Sequence, residues 1–270
     1  MNFPLRGMFY IRAGQVRHGF GSAPGICRWK STQSAQIQTT HKQSFYLRKL
    51  PSELTAFNSL EGKHLFRSAL DSGTLEPYFS LCGNYTTQSD VAWCGPASLA
   101  MVLNALERDP GRVWKWPWRF WSDEMIIENA DEATRKLKGI SFDEFALLAQ
   151  KYQILHRSCR AEEIIGAAEA NKERLEEFIS SLDLVCRSDS SHMVVSFSRS
   201  ALGQTGIGHF SPIGGYCPKD QKVLVLDVAR FKYPAYWVPV KSLYEAMIPV
   251  DPATNRSRGF FILKNPANKI

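Results

Sequence analysis

Four residue types at their spacings point to one reaction: Gln88, Cys94, His209 and Asp227. Cys94 stands where a polar stretch, Gly83–Ala92, gives way to a run that is apolar on nearly every side, Gly95 to Leu106. Such a run predicts a helix buried in a core. Pro96 suits its first turn, where a missing N–H costs nothing. A thiol at a helix N-terminus faces the positive end of the macrodipole and unpaired N–H groups, and both favour the nucleophilic thiolate. Gln88, six residues earlier, can aim its side-chain amide at the same point. With the backbone N–H of Cys94 it would form an oxyanion hole for a tetrahedral intermediate. His209 follows Gly206-Ile207-Gly208 and opens an expected strand, and Asp227 ends another, Lys222–Asp227. Neighbouring antiparallel strands would bring imidazole and carboxylate within hydrogen-bond reach, the thiol version of a catalytic triad. The bland alternative is that Cys94 is a small buried hydrophobe. A Cys-Gly pair alone is a weak signal; the company of Gln88, His209 and Asp227 favours the nucleophile.

The elements that must hold these residues divide along the chain. A lead-in carries a short helix near Ser59–Ser72. The buried helix behind Cys94 is expected to end at Asp109-Pro110-Gly111. Trp114, Trp116, Trp118 and Trp121 form either a packed loop over the core or a stacking surface for a ligand. Ser141-x-x-Glu144 is a capping box that opens a helix bearing Phe142, Phe145, Leu148, Ala149 and Tyr152. Residues 160–182 read as a further helix, with Ile164, Ile165, Leu175, Phe178 and Ile179 on its apolar side. Beyond Asp183 the pattern turns to short β-branched and aromatic runs, His192–Ser198, His209–Tyr216, Lys222–Asp227 and Gly259–Leu263, set off by Gly, Pro and Asp. A helical front and a β-rich back predict an α+β fold with an antiparallel sheet.

The net charge of +7 over 270 residues would suit a nucleic-acid binder, but its placement argues against one. Residues 1–52 hold eight basic residues and no acid; removing those 8 from the 33 leaves 25 basic residues against 26 acidic ones beyond them. The basic, acid-free arm has the composition of a mitochondrial transit peptide, with a disordered basic tail as the alternative. No run approaches the ~18 apolar residues of a membrane helix. The six cysteines form no C-x-x-C pair and no zinc-finger spacing. They predict single thiols in a reduced compartment.

At these residues the sequence resembles the phytochelatin synthase family. The likeness rests on Gln88–Leu106 (QSDVAWCGPASLAMVLNAL), Gly139–Phe142 (GISF), Gly206–Tyr216 (GIGHFSPIGGY), Leu226–Tyr233 (LDVARFKY) and Trp237-Val238-Pro239. It spans roughly residues 48–265. It implies a papain-like fold, whose helical half carries the Cys and whose antiparallel half carries the His and Asp. It divides the chain into a transit peptide or basic arm, 1–47, and a catalytic domain, 48–270. The reaction implied is γ-glutamylcysteinyl transfer: Cys94 takes γ-Glu-Cys from glutathione, releases glycine, and passes the unit to a second glutathione or a growing phytochelatin.

The same resemblance implies that Arg199 and Lys232 bind the second substrate, with a surface ion pair as the plain alternative for each. Arg230 is either a further substrate contact or a structural tie to a core carboxylate. Pro96 departs from the Leu that plant members often carry there. The Cys-rich C-terminal extension of many eukaryotic members is absent from this sequence, so metal activation is expected to come through the substrate. Cd, Zn or Cu would act as glutathione thiolate complexes, with no covalent cofactor and no assigned metal site. His64, His156, His192 and Cys217 are expected to be structural. The partners expected are glutathione and phytochelatin peptides, with no nucleic acid and no membrane, for a monomer or homodimer in the mitochondrial matrix or, alternatively, the cytoplasm. Two rival functions remain: a hydrolase of glutathione or its S-conjugates on the same fold, and a non-catalytic thiol module that binds metal.

Overall fold

A computed structural model describes residues 46–128, 139–162 and 166–266. Among these residues seven strands form one sheet, β1 (Thr55–Ala56), β2 (Leu155–Arg160), β3 (Ser191–Ser198), β4 (Gly208–Cys217), β5 (Lys222–Val225), β6 (Tyr236–Pro239) and β7 (Gly259–Lys264), in the order β1-β6-β5-β4-β3-β7-β2. Every neighbouring pair is antiparallel. Among the described residues the α-helices are α1 (Leu60–Asp71), α2 (Glu76–Gly83), α3 (Cys94–Ala105), α4 (Asp123–Glu128), α5 (Phe142–Lys151), α6 (Ala168–Cys186) and α7 (Val240–Glu245). The α+β expectation holds.

Strand periodicity sorts the core into two layers. Val194, Phe210, Leu224, Trp237, Phe261 and Leu263 face the layer built with α1 to α5. Their alternates Met193, Val195, Phe197, Val223, Val238 and Phe260 face a second layer closed by Phe178, Leu182 and Val185 of α6 and Leu243 of α7. The sheet is therefore covered on both faces. That explains why β3 and β7 read as continuous apolar runs and not as alternating ones.

Helix α3 is buried almost throughout, from Gly95 to Leu103, as its all-round apolar sequence requires. It ends at Ala105, before the expected Asp109-Pro110-Gly111 stop. The α5 capping box is complete: the Ser141 hydroxyl accepts from the Glu144 N–H, and the Glu144 carboxylate accepts from the Ser141 N–H at 2.6 Å. Other boundaries differ from expectation. The helix placed at 160–182 begins at Ala168 and runs to Cys186, with its apolar side carried by Phe178, Leu182 and Val185; Ile164 and Ile165 lie outside the described residues. Residues 155–160 form β2, an edge strand whose sequence LHRSCR has no apolar alternation; its pairing partner β7 supplies the order. Trp121 is buried and its indole N–H donates to the Arg108 carbonyl, whereas Trp116 and Trp118 are exposed. The Trp-rich stretch is packed only at its ends.

Candidate active site

Cys94 is the first residue of α3, half-buried at the wall of a cavity of about 440 Å³. The loop before it is held by neighbours with little room. Gly139 has φ +72, and a Cβ there would lie 2.7 Å from the Ala92 carbonyl oxygen. A Cβ on Gly95 would lie 2.5 Å from Ile140 Cγ1. The Gly-Ile-Ser segment thus presses directly on the start of α3, and both glycines are needed for that approach.

His209 is the second residue of β4, opposite Phe197 of β3, whose ring it meets edge-on at 5.7 Å. Asp227 lies two residues past the end of β5, because the strand stops at Val225 and not at Asp227 as the sequence suggested. Its Oδ1 accepts from His209 Nε2 at 2.9 Å, from Arg199 Nη2 at 2.9 Å and from the Ala229 N–H at 2.9 Å. The last bond is an Asx turn that fixes the carboxylate to its own backbone. Tyr85 donates its hydroxyl to the Asp227 carbonyl at 2.8 Å. With Nε2 committed to Asp227, the Nδ1 edge of the imidazole serves Cys94.

The charges reinforce one another. Burial by itself would raise the Cys94 thiol, but the His209 charge, hydrogen bonds from His209 and from the Phe210 backbone, and the nearby Arg199 outweigh it, so the thiol sits below its ordinary value. Burial opposes the His209 imidazolium and Asp227 overcomes it, with Arg199 pulling the other way; the net shift is upward. Asp227, though buried, is held well below the carboxylate range by His209 and Arg199. A thiolate–imidazolium pair braced by a buried carboxylate is the form that attacks a carbonyl.

Arg199 is also buried, at 3% exposure. Beyond Asp227, its guanidinium donates to Gln204 Oε1 at 2.6 Å. Its Nη2 is 2.9 Å from His209 Nε2. Once that nitrogen donates to Asp227 it has no lone pair left, so the contact is a close approach of two donors. Arg199 is not the surface ion pair of the plain alternative: it is an internal brace of the His–Asp pair that also reaches the cavity wall, the place where the substrate contact expected of it would be made. Lys232 lines the same cavity and donates to the Thr205 carbonyl. Burial lowers its pKa, and the like charges of Arg199 and Arg48 lower it further. Arg48, which sequence reasoning passed over as part of the basic arm, completes a wall of three cations with no acidic residue among the described residues lining it. Arg230 is not in this cavity. It lies over the Tyr85 ring at 4.5 Å and lines a neighbouring cavity of about 1000 Å³. Its expected tie to a core carboxylate is replaced by this aromatic contact.

Gln88 is 3% exposed and lines the cavity with Cys94. Its backbone N–H donates to the Val228 carbonyl at 3.0 Å, next to Asp227. One hydrogen of its amide goes to the Asp90 carbonyl, 2.7 Å away, which leaves the second for a ligand. Among the described residues no group of three or more His, Cys, Asp or Glu side chains is placed to hold a metal ion. His192 is fully buried on β3, away from the site.

Comparison with known proteins agrees with the geometry. The family model described as phytochelatin synthase matches residues 45–260. Glutathione gamma-glutamylcysteinyltransferase 2 of Arabidopsis thaliana is 45% identical over 224 residues, 83% of this chain and 47% of the relative. The glutathione gamma-glutamylcysteinyltransferase of Schizosaccharomyces pombe is 41% identical over 224 residues, 83% of this chain and 52% of the relative. Glutathione gamma-glutamylcysteinyltransferase 3 of Lotus japonicus is 44% identical over 220 residues, 81% and 44%. The chain spans about half the length of the curated relatives it matches. It belongs to the phytochelatin synthase family.

Proposed function

We propose that this chain is a glutathione γ-glutamylcysteinyltransferase on a papain-like fold, with Cys94 as nucleophile. The observation that carries this is the Cys94–His209–Asp227 set in a cavity walled by Arg48, Arg199 and Lys232. The Cys94 thiolate attacks the carbonyl of the Cys–Gly bond of glutathione. The oxyanion is stabilised by the free amide hydrogen of Gln88 and the Cys94 backbone N–H. As the intermediate collapses, the His209 imidazolium gives its Nδ1 proton to the departing nitrogen and glycine leaves. The γ-Glu-Cys unit remains on Cys94 as a thioester. A second glutathione then attacks with its α-amine, His209 takes a proton from that amine, and the thiolate leaves. The product is (γ-Glu-Cys)2-Gly. The cation wall suits an acceptor that carries carboxylates. Heavy-metal ions such as Cd, Zn or Cu enter as thiolate complexes of glutathione, hence as part of the substrate. Residues 1–47 act as a mitochondrial presequence and 48–270 as the catalytic domain.

The test is product analysis of wild type and Cys94→Ala incubated with glutathione and Cd or Zn. Wild type is expected to form (γ-Glu-Cys)2-Gly and the variant none. Release of γ-Glu-Cys and glycine alone would replace transfer by hydrolysis. Neither product from wild type would favour the metal-binding thiol module. Localisation is tested by fusing residues 1–50 to a reporter: retention in the cytosol rejects the presequence.

A further inference from the structure

The segment that carries Gln88 is fastened from a distance of 34 residues by Asp123, at the start of α4. Asp123 is a buried carboxylate, 6% exposed. Its Oδ2 accepts from the Ser89 backbone N–H at 2.6 Å and its Oδ1 accepts from the Ser89 hydroxyl at 2.9 Å. Oδ1 also accepts from the Glu124 N–H at 3.0 Å, which ties the carboxylate to its own helix start. An ordinary capping Asp spends its oxygens on its own first turn. Here both oxygens reach the residue next to Gln88.

On the other side, Gln88 is held by its N–H to the Val228 carbonyl, and its amide by the Asp90 carbonyl. The Asp90 carbonyl also accepts from the Trp93 N–H at 3.1 Å, one residue before Cys94. The backbone at Gln88–Ser89 is thus clamped between the segment that carries Asp227 and the α4 carboxylate. An oxyanion donor acts only if it is in place before the charge develops, and a misplacement of about 1 Å costs on the order of 100-fold in rate. We propose that Asp123 is a positioning residue that fixes the Gln88 amide for oxyanion stabilisation. The proposal rests on the reading of Gln88 as the oxyanion donor. Asp123 itself touches neither substrate nor the reacting atoms.

The experiment compares Asp123→Ala and Asp123→Asn, each in the wild-type and in the Gln88→Ala background. It reads glycine release from glutathione and hydrogen exchange of a peptide spanning residues 86–93. Asp123→Ala is expected to lower kcat about 10- to 100-fold with KM changed far less, because the donor's placement is lost and the cation wall is kept. Exchange in 86–93 should rise at least tenfold while α3 and the sheet keep their protection. Asp123→Asn is expected to restore most of both, since its carbonyl accepts the Ser89 N–H and its amide donates to the Ser89 hydroxyl. In the Gln88→Ala background Asp123→Ala should have no further effect on kcat. An equal loss in both backgrounds would show general damage and overturn the proposal. So would unchanged exchange in 86–93, whether or not the protein turns over glutathione. A Gln88→Ala chain with wild-type kcat would instead reject the oxyanion reading of Gln88, and Asp123 would be left as a loop anchor with no catalytic consequence.

Discussion

Charge placement within a few ångströms decides the chemistry of single side chains. Cys94 is below its ordinary pKa and His209 above, so the reactive thiolate–imidazolium pair exists between two apparent values that belong to the pair. As pH rises through the lower one the thiol loses its proton and the rate climbs. Above the upper one the imidazolium loses the proton needed by the leaving amine, and the rate falls. Glycine release should therefore follow a bell, and alkylation of Cys94 by iodoacetamide should show a midpoint below the ~8.5 of a free thiol. Asp227→Asn removes the charge that raises His209 and should move the alkaline limb down. A wild-type alkylation midpoint at the free-thiol value would contradict the ion pair. A second titrating residue acts on stability alone. His192 is fully buried, neither ring nitrogen has a hydrogen-bond partner, and burial lowers its pKa to about 4. Between that value and about 6.5 the unfolded chain binds a proton that the folded chain refuses, so stability falls as pH drops through this window. The loss is on the order of 3 kcal/mol, and urea unfolding of His192→Leu should show a flatter pH dependence there.

Elements rather than single atoms keep the nucleophile in register. The first turn of α3 is pinned by the Gly139–Ile140 segment, which leaves no room for a methyl on Gly95. Gly95→Ala is expected to destabilise the fold by about 1–3 kcal/mol through overpacking against Ile140 and to lower kcat by tilting the start of the helix. Ile140→Ala removes the obstructing atoms. The double variant should then lose less stability by thermal unfolding than the sum of the two single changes. Strict additivity would mean that the contact between these elements carries no strain. The hairpin from β3 to β4 does similar work: it turns Arg199 back onto Asp227, and the Arg199 N–H donates to the Ile207 carbonyl at 2.8 Å.

At the scale of the molecule, the sheet is the frame on which distant chain segments meet. Residues 94, 209 and 227 come from α3, the start of β4 and the segment just past β5, and among the described residues the two core layers that fix them span residues 54–263. A chain starting at Phe45 should therefore keep the thermal midpoint within about 2 °C, since ~0.5 kcal/mol of stability corresponds to that shift in a domain of this size. Turnover should also match the full chain. A truncated protein that aggregates or loses its cooperative transition would show that the arm contributes to the core.

Much of this was written locally in the chain. The all-apolar run after Cys94, the capping box at Ser141, the β-branched runs of β3, β4 and β7 and the Gly-His and Asp segments each specify their own element, because burial and periodicity act over a few residues. The grouping of Cys94, His209 and Asp227 was readable for the same reason, since Cys94 opens α3, His209 lies at the start of β4 and Asp227 just past β5; Gln88 lies in the loop between α2 and α3 and stood out by its spacing from Cys94. What the sequence could not decide depends on partners brought together by the sheet. β2 has no pattern of its own and exists because β7 offers an edge. Arg199 is indistinguishable from a surface cation until the β3–β4 hairpin buries it against Asp227. Arg48 looks like one more charge of a basic arm until its N–H pairs with the Lys232 carbonyl at the cavity wall. Asp123 marks only the start of a short helix until Ser89 lies beneath its carboxylate. A side chain's type is local, but the solvation and charge around it are set by residues tens to hundreds of positions away, and only the folded chain brings those together.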